Sequence, residues 1–242
     1  MMTILGDKGK SACLTTFLSC TPGHNKPGCY AEFVVRPVGD LIGVPAHLPP
    51  AATAPVELAM CVSASFLRLR QLNAFPCQRF GISGLGPAGL IAAQVARAEG
   101  GQEIIAWDLS EARRTYALER GLVDLALDPR TDPAPAPVEV ALDCVGAKAS
   151  VEHLMDRTHG ILALFGVQRE PYTFDVRHYS KLTLAGYPGH SRTAAEYAVA
   201  KITEGTLDLS CLITHTLPFS RYAEGIALLE RQEGIKILFV PE

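Results

Sequence analysis

The sequence predicts a doubly wound α/β fold, in which a parallel sheet carries helices on both faces, joined to a smaller β-rich part. Strand-like apolar runs alternate with helical patterns from residue 78 to residue 186, and such alternation builds parallel sheets. A glycine-rich turn joins the first of these strands to the first helix. The residues before 65 show short strand-like runs separated by proline and glycine instead. The chain has 242 residues, of which 48% are apolar, enough for one large or two small domains with a substantial core.

The parallel sheet is predicted from six strands and three intervening helices. The helical patterns cover 87–98, 111–120 and 148–157, and Ser110 is positioned to cap the second of them. The connection at 128–137 contains too many prolines for a crossover helix, so we expect it to be extended in polyproline geometry. The strands are predicted at 78–83, 103–107, 123–127, 138–143, 161–166 and 181–186.

The flanking regions are predicted to be mixed. Before the sheet we expect a mostly helical stretch at 51–69, preceded by strands at Tyr30–Arg36 and Asp40–Val44. After the sheet, helical and strand-like patterns of apolar residues follow one another along the chain. They predict a helix at 191–203, a strand near 212–216, a helix at 220–231 and a last strand at 235–240.

The composition excludes several classes of partner and location. A formal charge of −3 gives no electrostatic reason to bind nucleic acid or an anionic membrane. We expect no membrane-spanning segment, because no apolar run approaches the roughly 18 residues required. The start of the chain resembles a signal peptide only faintly, since its short apolar part is broken by two threonines. The seven cysteines lack paired spacing, so a cytoplasmic protein without disulfides is expected.

The strongest motif is the turn Gly84-Leu85-Gly86-Pro87-Ala88-Gly89, which closes the first strand and opens the first helix. Such a turn fits a dinucleotide: Gly84 permits the tight turn, Gly86 lets the backbone approach a pyrophosphate, and Gly89 lets helix and strand pack closely. The helix that starts at Pro87 presents amide groups to the phosphates. A purely structural glycine turn is the alternative.

Asp108 ends the second strand and predicts which nicotinamide cofactor is bound. A carboxylate there accepts hydrogen bonds from both ribose hydroxyls of the adenosine half and repels a 2′-phosphate, which favours NAD over NADP. Arg113 and Arg114 follow in the next helix. They either face solvent or cover the adenosine, although arginines near this position are also found where a 2′-phosphate binds.

Several blocks taken together resemble the medium-chain dehydrogenase/reductase superfamily, in particular its zinc-type alcohol and polyol dehydrogenases. The glycine turn and Asp108 match the nucleotide fingerprint of that superfamily in spacing, and the resemblance extends from about residue 28 to the end of the chain. The other matching blocks are residues 28–35, 48–52, 143–146, 160–166, 213–215, 218–219 and the segment before Lys236.

The resemblance implies a Rossmann cofactor domain at 65–187, inserted into a partial GroES-like catalytic domain made of 1–64 and 188–242. It implies hydride transfer between a nicotinamide ring and an alcohol or carbonyl, and a possible homodimer. It also places Ala88 of the glycine turn behind the nicotinamide and adds Val145, Phe165 and Val167 to the expected cofactor contacts. Lys236 matches a basic residue that reaches the pyrophosphate in relatives, and a solvated lysine on an edge strand is the alternative.

The metal ligands of zinc-type relatives are mostly missing. The sequence has no Gly-His-Glu block, since Gly23-His24 is followed by Asn25, and the long N-terminal stretch of relatives is absent. Glu57 matches the position of one family ligand, and it is either a remaining ligand or an ordinary helix carboxylate. A site made of Cys13, Cys20, Cys29 and His24 is weakly supported. We therefore expect no bound zinc and assign no catalytic residue.

The resulting hypothesis is an NAD-dependent alcohol or polyol dehydrogenase, impaired to the extent that zinc ligands are missing. The alternative is a non-catalytic NAD-binding module or degraded homologue. A zinc-independent reductase of the same superfamily fits Asp108 and Glu57 less well. The residues do not indicate the substrate.

Overall fold

The computed structural model describes residues 3–5, 11–14, 31, 33–132 and 137–242. It divides into two compact units. The first unit contains Met1–Cys61 and Gly189–Glu242, and the second contains Val62–Pro188. The chain therefore leaves the first unit once and returns to it.

The N-terminal part of the first unit is an antiparallel sheet followed by helices. Strands β1 (Thr3–Leu5), β2 (Ser11–Leu14) and β3 (Leu41–Val44) are hydrogen-bonded in that order. A short helix, α1 (Pro50–Thr53), begins directly after Pro49, with proline in its first turn where no amide hydrogen bond is lost. Helix α2 (Val56–Gln71) begins in the first unit and ends in the second.

The second unit contains a six-stranded parallel sheet in the order β6-β5-β4-β7-β8-β9. The reversal between β4 and β7 is the switch point at which open α/β sheets bind ligands. Three helices, α3 (Pro87–Ala98), α4 (Glu111–Glu119) and α5 (Lys148–Arg157), alternate with the strands, and the short α6 (Val176–Tyr179) precedes β9. The strands are β4 (Cys77–Ser83), β5 (Gly101–Trp107), β6 (Leu125–Leu127), β7 (Val138–Asp143), β8 (Thr158–Leu164) and β9 (Thr183–Gly186).

The core of this unit is built from buried apolar side chains. One buried cluster includes Ile105, Trp107, Leu154 and Leu162, which lie on the strands and on α5. Helix α4 starts at the predicted cap, because the Ser110 hydroxyl accepts a hydrogen bond from the Arg113 amide at 3.4 Å. The predicted fold class and the cap are confirmed.

The chain then returns to the first unit through α7 (Arg192–Thr203). Strand β10 (Ile213–Pro218) pairs in parallel with the last strand, β11 (Lys236–Val240), and α8 (Tyr222–Glu230) connects them. The predicted elements of this region are present, with boundaries shifted by at most two residues.

Three predictions are wrong in the described residues. Phe33–Arg36 forms no strand, and Phe33 and Val35 are 87% and 91% exposed, so neither packs on an apolar surface of the described chain. Tyr30 and Glu32 lie outside the described residues. The segment expected to be extended begins with a hydrogen-bonded turn, since the Asp132 amide donates to the Asp128 carbonyl at 3.0 Å. Its residues 133–136 are outside the described part of the chain.

The third correction concerns the length of the apolar segments. The helical stretch Pro50–Gln71 is long and apolar enough to span a membrane by length and composition, with a mean hydropathy of 1.3. However, 67% of that window is buried inside the protein, which is typical of a core helix.

Candidate cofactor site at the carboxyl edge of the parallel sheet

The turn after β4 requires glycine at its first position. Gly84 has φ +89°, a conformation that side chains disfavour, and its amide donates to the Trp107 carbonyl at 2.7 Å. A Cβ atom at Gly84 would lie 2.7 Å from Cγ2 of Val145. The Val145 side chain therefore lies directly over the turn.

The other two glycines of the motif have opposite surroundings. A Cβ atom at Gly89 would lie 1.8 Å from the Gly84 carbonyl oxygen, so α3 packs against the turn as closely as its backbone allows. Among the described residues other than its own chain neighbours, none would have an atom within 4 Å of a Cβ atom at Gly86. Packing thus explains Gly89 but not Gly86, and the space beside Gly86 is open to a ligand.

The start of α3 is suited to an anion. Gly86 is the N-cap residue and, among the described residues, no side chain caps this helix end. Pro87 occupies the first position, where its missing amide hydrogen costs nothing. The first-turn amides of Ala88 and Gly89 have no acceptor within the helix, and the helix dipole adds a partial positive charge.

Asp108 holds the same turn from the neighbouring strand. Its Oδ2 accepts a hydrogen bond from the Leu85 amide at 2.6 Å, and its Oδ1 accepts one from the Ser110 amide at 2.8 Å. The residue is 8% exposed. A carboxylate has about four lone-pair positions. Each oxygen therefore keeps a position with which it can accept a hydroxyl hydrogen.

The two arginines after Asp108 differ in their surroundings. An Nη of Arg113 lies 3.8 Å from Asp108 Oδ2, and the side chain is 37% exposed. Arg114 is more buried, donates to the Asp108 carbonyl at 2.7 Å and lies 3.6 Å from the Asp128 carboxylate. Arg113 is therefore the arginine that can turn towards a ligand at Asp108.

Two further loops meet at this edge, after β7 and β8. A Cβ atom at Gly146 would lie 2.3 Å from the Val167 carbonyl oxygen, and one at Gly166 would lie 2.3 Å from the Gly146 amide nitrogen. The backbones are therefore in direct contact. Val145 and Val167 are 50% and 77% exposed there, while the Phe165 ring packs edge-on against Tyr187 at 5.5 Å.

Asp143, at the end of β7, organises these loops. It is fully buried, and its carboxylate accepts hydrogen bonds from the Gly146 amide and the Ser150 hydroxyl, each at 2.8 Å. Burial raises the pKa of Asp143, and these hydrogen bonds partly oppose the shift. The sequence identified Asp143 only as part of a block. Its position after an apolar strand and before Gly146 was the available signal.

Lys236 belongs to the first unit rather than to this edge. Burial lowers its pKa, while the charges of Glu57 and Cys61 partly oppose the shift. Its assignment to a pyrophosphate stays a prediction.

Taken together, the switch-point edge, the glycine turn and the terminal acid define a Rossmann-type fold class for the second unit. The chain has the fold of the medium-chain dehydrogenase/reductase superfamily, and the resemblance found in the sequence is confirmed at the level of the fold. No protein-family model matches the chain.

The comparisons with known proteins agree on this fold. L-threonine 3-dehydrogenase of Proteus mirabilis is 24% identical over 231 residues, which cover 89% of this chain and 66% of that protein. Galactitol-1-phosphate dehydrogenase of Escherichia coli superposes with a TM-score of 0.79 at 22% identity, covering 96% of this chain and 78% of that one. A short chain alcohol dehydrogenase of Escherichia coli CFT073, solved with NADH, gives a TM-score of 0.80 at 18% identity, covering 91% and 68%.

The chain thus spans just under two thirds of the length of the threonine dehydrogenase that it matches.

Proposed function

We propose that the protein is an NAD-dependent oxidoreductase of the alcohol or polyol dehydrogenase type. The observation that carries the proposal is the contrast within the glycine turn. Gly84 and Gly89 are required by backbone conformation and packing, whereas Gly86 borders open space at an uncapped helix start. A glycine that the fold does not need is expected where a ligand approaches the backbone.

The adenosine half of the cofactor is assigned to Asp108 and Arg113. The carboxylate, already fixed by two backbone amides, accepts the ribose hydroxyls without further ordering. The pyrophosphate is assigned to the start of α3, at Gly86 and Pro87, with Lys236 as a further contact implied by the resemblance. Ala88 is assigned to the space behind the nicotinamide, as the resemblance implies.

The nicotinamide half is assigned to the loops after β7 and β8. Val145 and Val167 present exposed branched side chains at this edge, and Phe165 lies between them in the sequence order of the loops. An apolar surface of this kind supports a flat ring and excludes water from one of its faces. When bound, the cofactor supplies the carbon that donates or accepts the hydride.

NAD is favoured over NADP because Asp108 places a negative charge where a 2′-phosphate would lie. Arg113 lies 3.8 Å from that carboxylate and reduces the repulsion only in part. The substrate is an alcohol or a carbonyl compound of unassigned identity, and the proposal includes a cytoplasmic location and a homodimer. We also propose that the two compact units correspond to the catalytic and cofactor domains.

The test is a fluorescence titration with NADH and then NADPH. Trp107 is the only tryptophan, is 3% exposed and directly precedes Asp108, so a bound cofactor should quench its emission or accept its energy. We expect saturable binding of NADH and weaker binding of NADPH. A panel of alcohols with NAD, followed by NADH formation, then tests turnover.

The proposal is overturned if folded protein responds to neither cofactor. Asp108→Asn is the matched variant, because it removes the charge while its one oxygen still accepts a hydrogen bond from the Leu85 amide, although the Ser110 amide then loses its acceptor. Equal affinities of this variant and the original protein for both cofactors would refute the assigned role of Asp108.

A further inference from the structure

Three groups that bind metals lie together in the first unit. Glu57 and Cys61 are one turn apart on α2, and Cys61 Sγ lies 3.3 Å from Glu57 Oε1. His190 Nε2 lies 4.0 Å from the same oxygen. The three ligand atoms all lie within 4.8 Å of one another. Among the described residues, this is the one group of three or more potential metal ligands.

We propose that Glu57, Cys61 and His190 bind one divalent metal ion of the zinc class. A carboxylate, a thiolate and an imidazole form a mixed donor set that suits this borderline-soft ion. Harder ions such as magnesium and calcium prefer oxygen donors alone. Three protein ligands on a tetrahedral ion leave a fourth position for water or a substrate oxygen.

The distances require only a small closure. With metal–ligand bonds of about 2.0–2.3 Å, tetrahedral geometry separates the donor atoms by about 3.3–3.6 Å. The separation of Cys61 and Glu57 already falls in this range, because the helix places residues four apart on one face. His190 has to approach Glu57 by somewhat less than about 1 Å, which a change of side-chain torsions supplies.

The burial of the three ligands also fits an exchangeable ion. Cys61 is buried, with 7% of the residue exposed. The side chains of Glu57 and His190 are 39% and 27% exposed, so an ion reaches the site from solvent. The buried thiol supplies the strongest bond, and the two partly exposed ligands close over it.

Lys236 is the charged neighbour that opposes the ion. Its ammonium group interacts electrostatically with Glu57 and Cys61. The positive charge of Lys236 therefore favours the deprotonated forms of Glu57 and Cys61 but repels the metal ion that they bind. Replacing Lys236 by methionine keeps the length of the side chain, removes the charge and is expected to tighten metal binding.

This ligand set is not the one that the family resemblance implies. Only Glu57 matches a family position, and the sequence led us to expect no bound zinc. Cys61 and His190 were not predicted as ligands. The spacing of Glu57 and Cys61 on one helix was an available signal, whereas His190 is 133 positions from Glu57 in the sequence and carries no local signal.

The experiment reconstitutes the whole chain with cobalt after removal of metals by a chelator. Cobalt bound by a thiolate shows a charge-transfer band in the near ultraviolet, which reports directly on the Cys61–metal bond. We expect about one equivalent of cobalt or zinc per chain and loss of the band in Cys61→Ser. Metal affinity should fall in both His190→Gln and Glu57→Gln. The loss should exceed the roughly 10–100-fold that is typical when a residue that only hydrogen-bonds to a metal ligand is replaced.

The matched controls are Cys211→Ser and His215→Gln, which change the same residue types in the same unit outside the cluster. Neither should alter the band. A second readout uses the unmodified protein: zinc should protect Cys61 from alkylation, measured by peptide mass. This keeps the test informative if a variant fails to fold.

The proposal is overturned if cobalt gives no charge-transfer band, if the band persists in Cys61→Ser, or if zinc leaves alkylation of Cys61 unchanged. The NADH titration of the same preparation is independent of these outcomes. NADH binding without metal binding refutes only the metal site, and metal binding without NADH binding refutes only the proposed function.

Discussion

Alanine at Gly89 should destabilise the protein while alanine at Gly86 should leave its stability nearly unchanged, and both should weaken cofactor binding. Both glycines belong to one motif, and a motif alone does not say which of them serves the fold. The structure separates them, because a Cβ atom meets backbone at Gly89 and nothing within 4 Å at Gly86. The pair therefore tests the structural and the cofactor interpretations of the turn.

The cost at Gly89 follows from two distances. The added Cβ atom would lie 1.8 Å from the Gly84 carbonyl oxygen and 2.9 Å from the carbonyl carbon. Both are backbone atoms, so relief requires helix and turn to separate. Overpacking usually costs about 1–3 kcal/mol, and a backbone clash of this size belongs at the upper end. For a protein of this length, about 3 kcal/mol lowers the melting temperature by about 6–12 °C.

The cost at Gly86 is close to zero by the same reasoning. Its φ of −71° is accessible to alanine. Alanine is a poorer N-cap residue than glycine, but it also reduces the entropy of the unfolded chain by about 0.4–1 kcal/mol, and the two effects oppose each other. We expect a change within about 0.5 kcal/mol. The methyl group would instead occupy the space assigned to the pyrophosphate, so NADH affinity should fall at least tenfold, about 1.4 kcal/mol.

The assay combines thermal unfolding with the NADH titration followed by Trp107. Gly43→Ala is the matched control, because it lies in the other unit and its Cβ atom also has no neighbour within 4 Å. It should change neither measurement. If Gly86→Ala binds NADH as tightly as the original protein, or destabilises it as much as Gly89→Ala does, the reasoning is wrong and the turn is purely structural.

The other predictions concern cofactor specificity, the charge of Arg113 and the dependence of stability on pH. Asp108→Ser should weaken NADH binding and improve NADPH binding, measured as the ratio of the two dissociation constants. Adding Arg113→Ala to this variant should remove the gain for NADPH, since an arginine that no longer faces a carboxylate can pair with the 2′-phosphate. An unchanged ratio of the two dissociation constants would exclude this role of Arg113. Burial lowers the pKa of His153 from 6.5 to about 4, so between these pH values the unfolded chain binds a proton that the folded chain does not. The melting temperature should therefore fall as the pH is lowered through that window and should fall less in His153→Gln, and equal slopes for both proteins would contradict this assignment.

The order of strands and helices was predictable because its signals are local. Periodic apolar runs and a proline at the first helical position specify α3 at 87–98, where sequence and structure agree at both ends. The strand predicted at 161–166 begins instead at Thr158, because Thr158 pairs with Val138 of β7. That pairing depends on a distant part of the chain, and no local pattern reports it.

The wrong predictions also have physical causes. Residues 33–36 are rich in strand-forming apolar side chains, but such residues form a strand only where a partner strand and an apolar surface exist. At Asp128, ion pairing favours a different conformation. Its carboxylate accepts hydrogen bonds from the Arg130 amide and guanidinium, which stabilises a turn that contains Pro129 and ends before Pro133.

The candidate site was predictable where the local backbone conformation alone determines the residue type, as at Gly84. It was not predictable where loops from different strands meet. Gly146 and Gly166 are twenty positions apart, yet each lacks a side chain because the other approaches it. Asp143 was overlooked for the same reason, since its partners Gly146 and Ser150 become evident only when the loop after β7 is folded.

Asp108 has a structural role that the sequence argument did not give it. The sequence argument gave it one role, the ribose, and from that role alone Asp108→Ser is a clean change of specificity. In the structure the same carboxylate accepts the amide of Leu85, a fully buried residue. A buried donor left without an acceptor costs about 1–3 kcal/mol, so the serine variant also loosens the turn that holds the pyrophosphate. Its effect on NADH therefore combines two losses. Asp108→Asn keeps an acceptor for the buried Leu85 amide and loses only the one for the Ser110 amide, so it tests the charge with less disturbance of the turn.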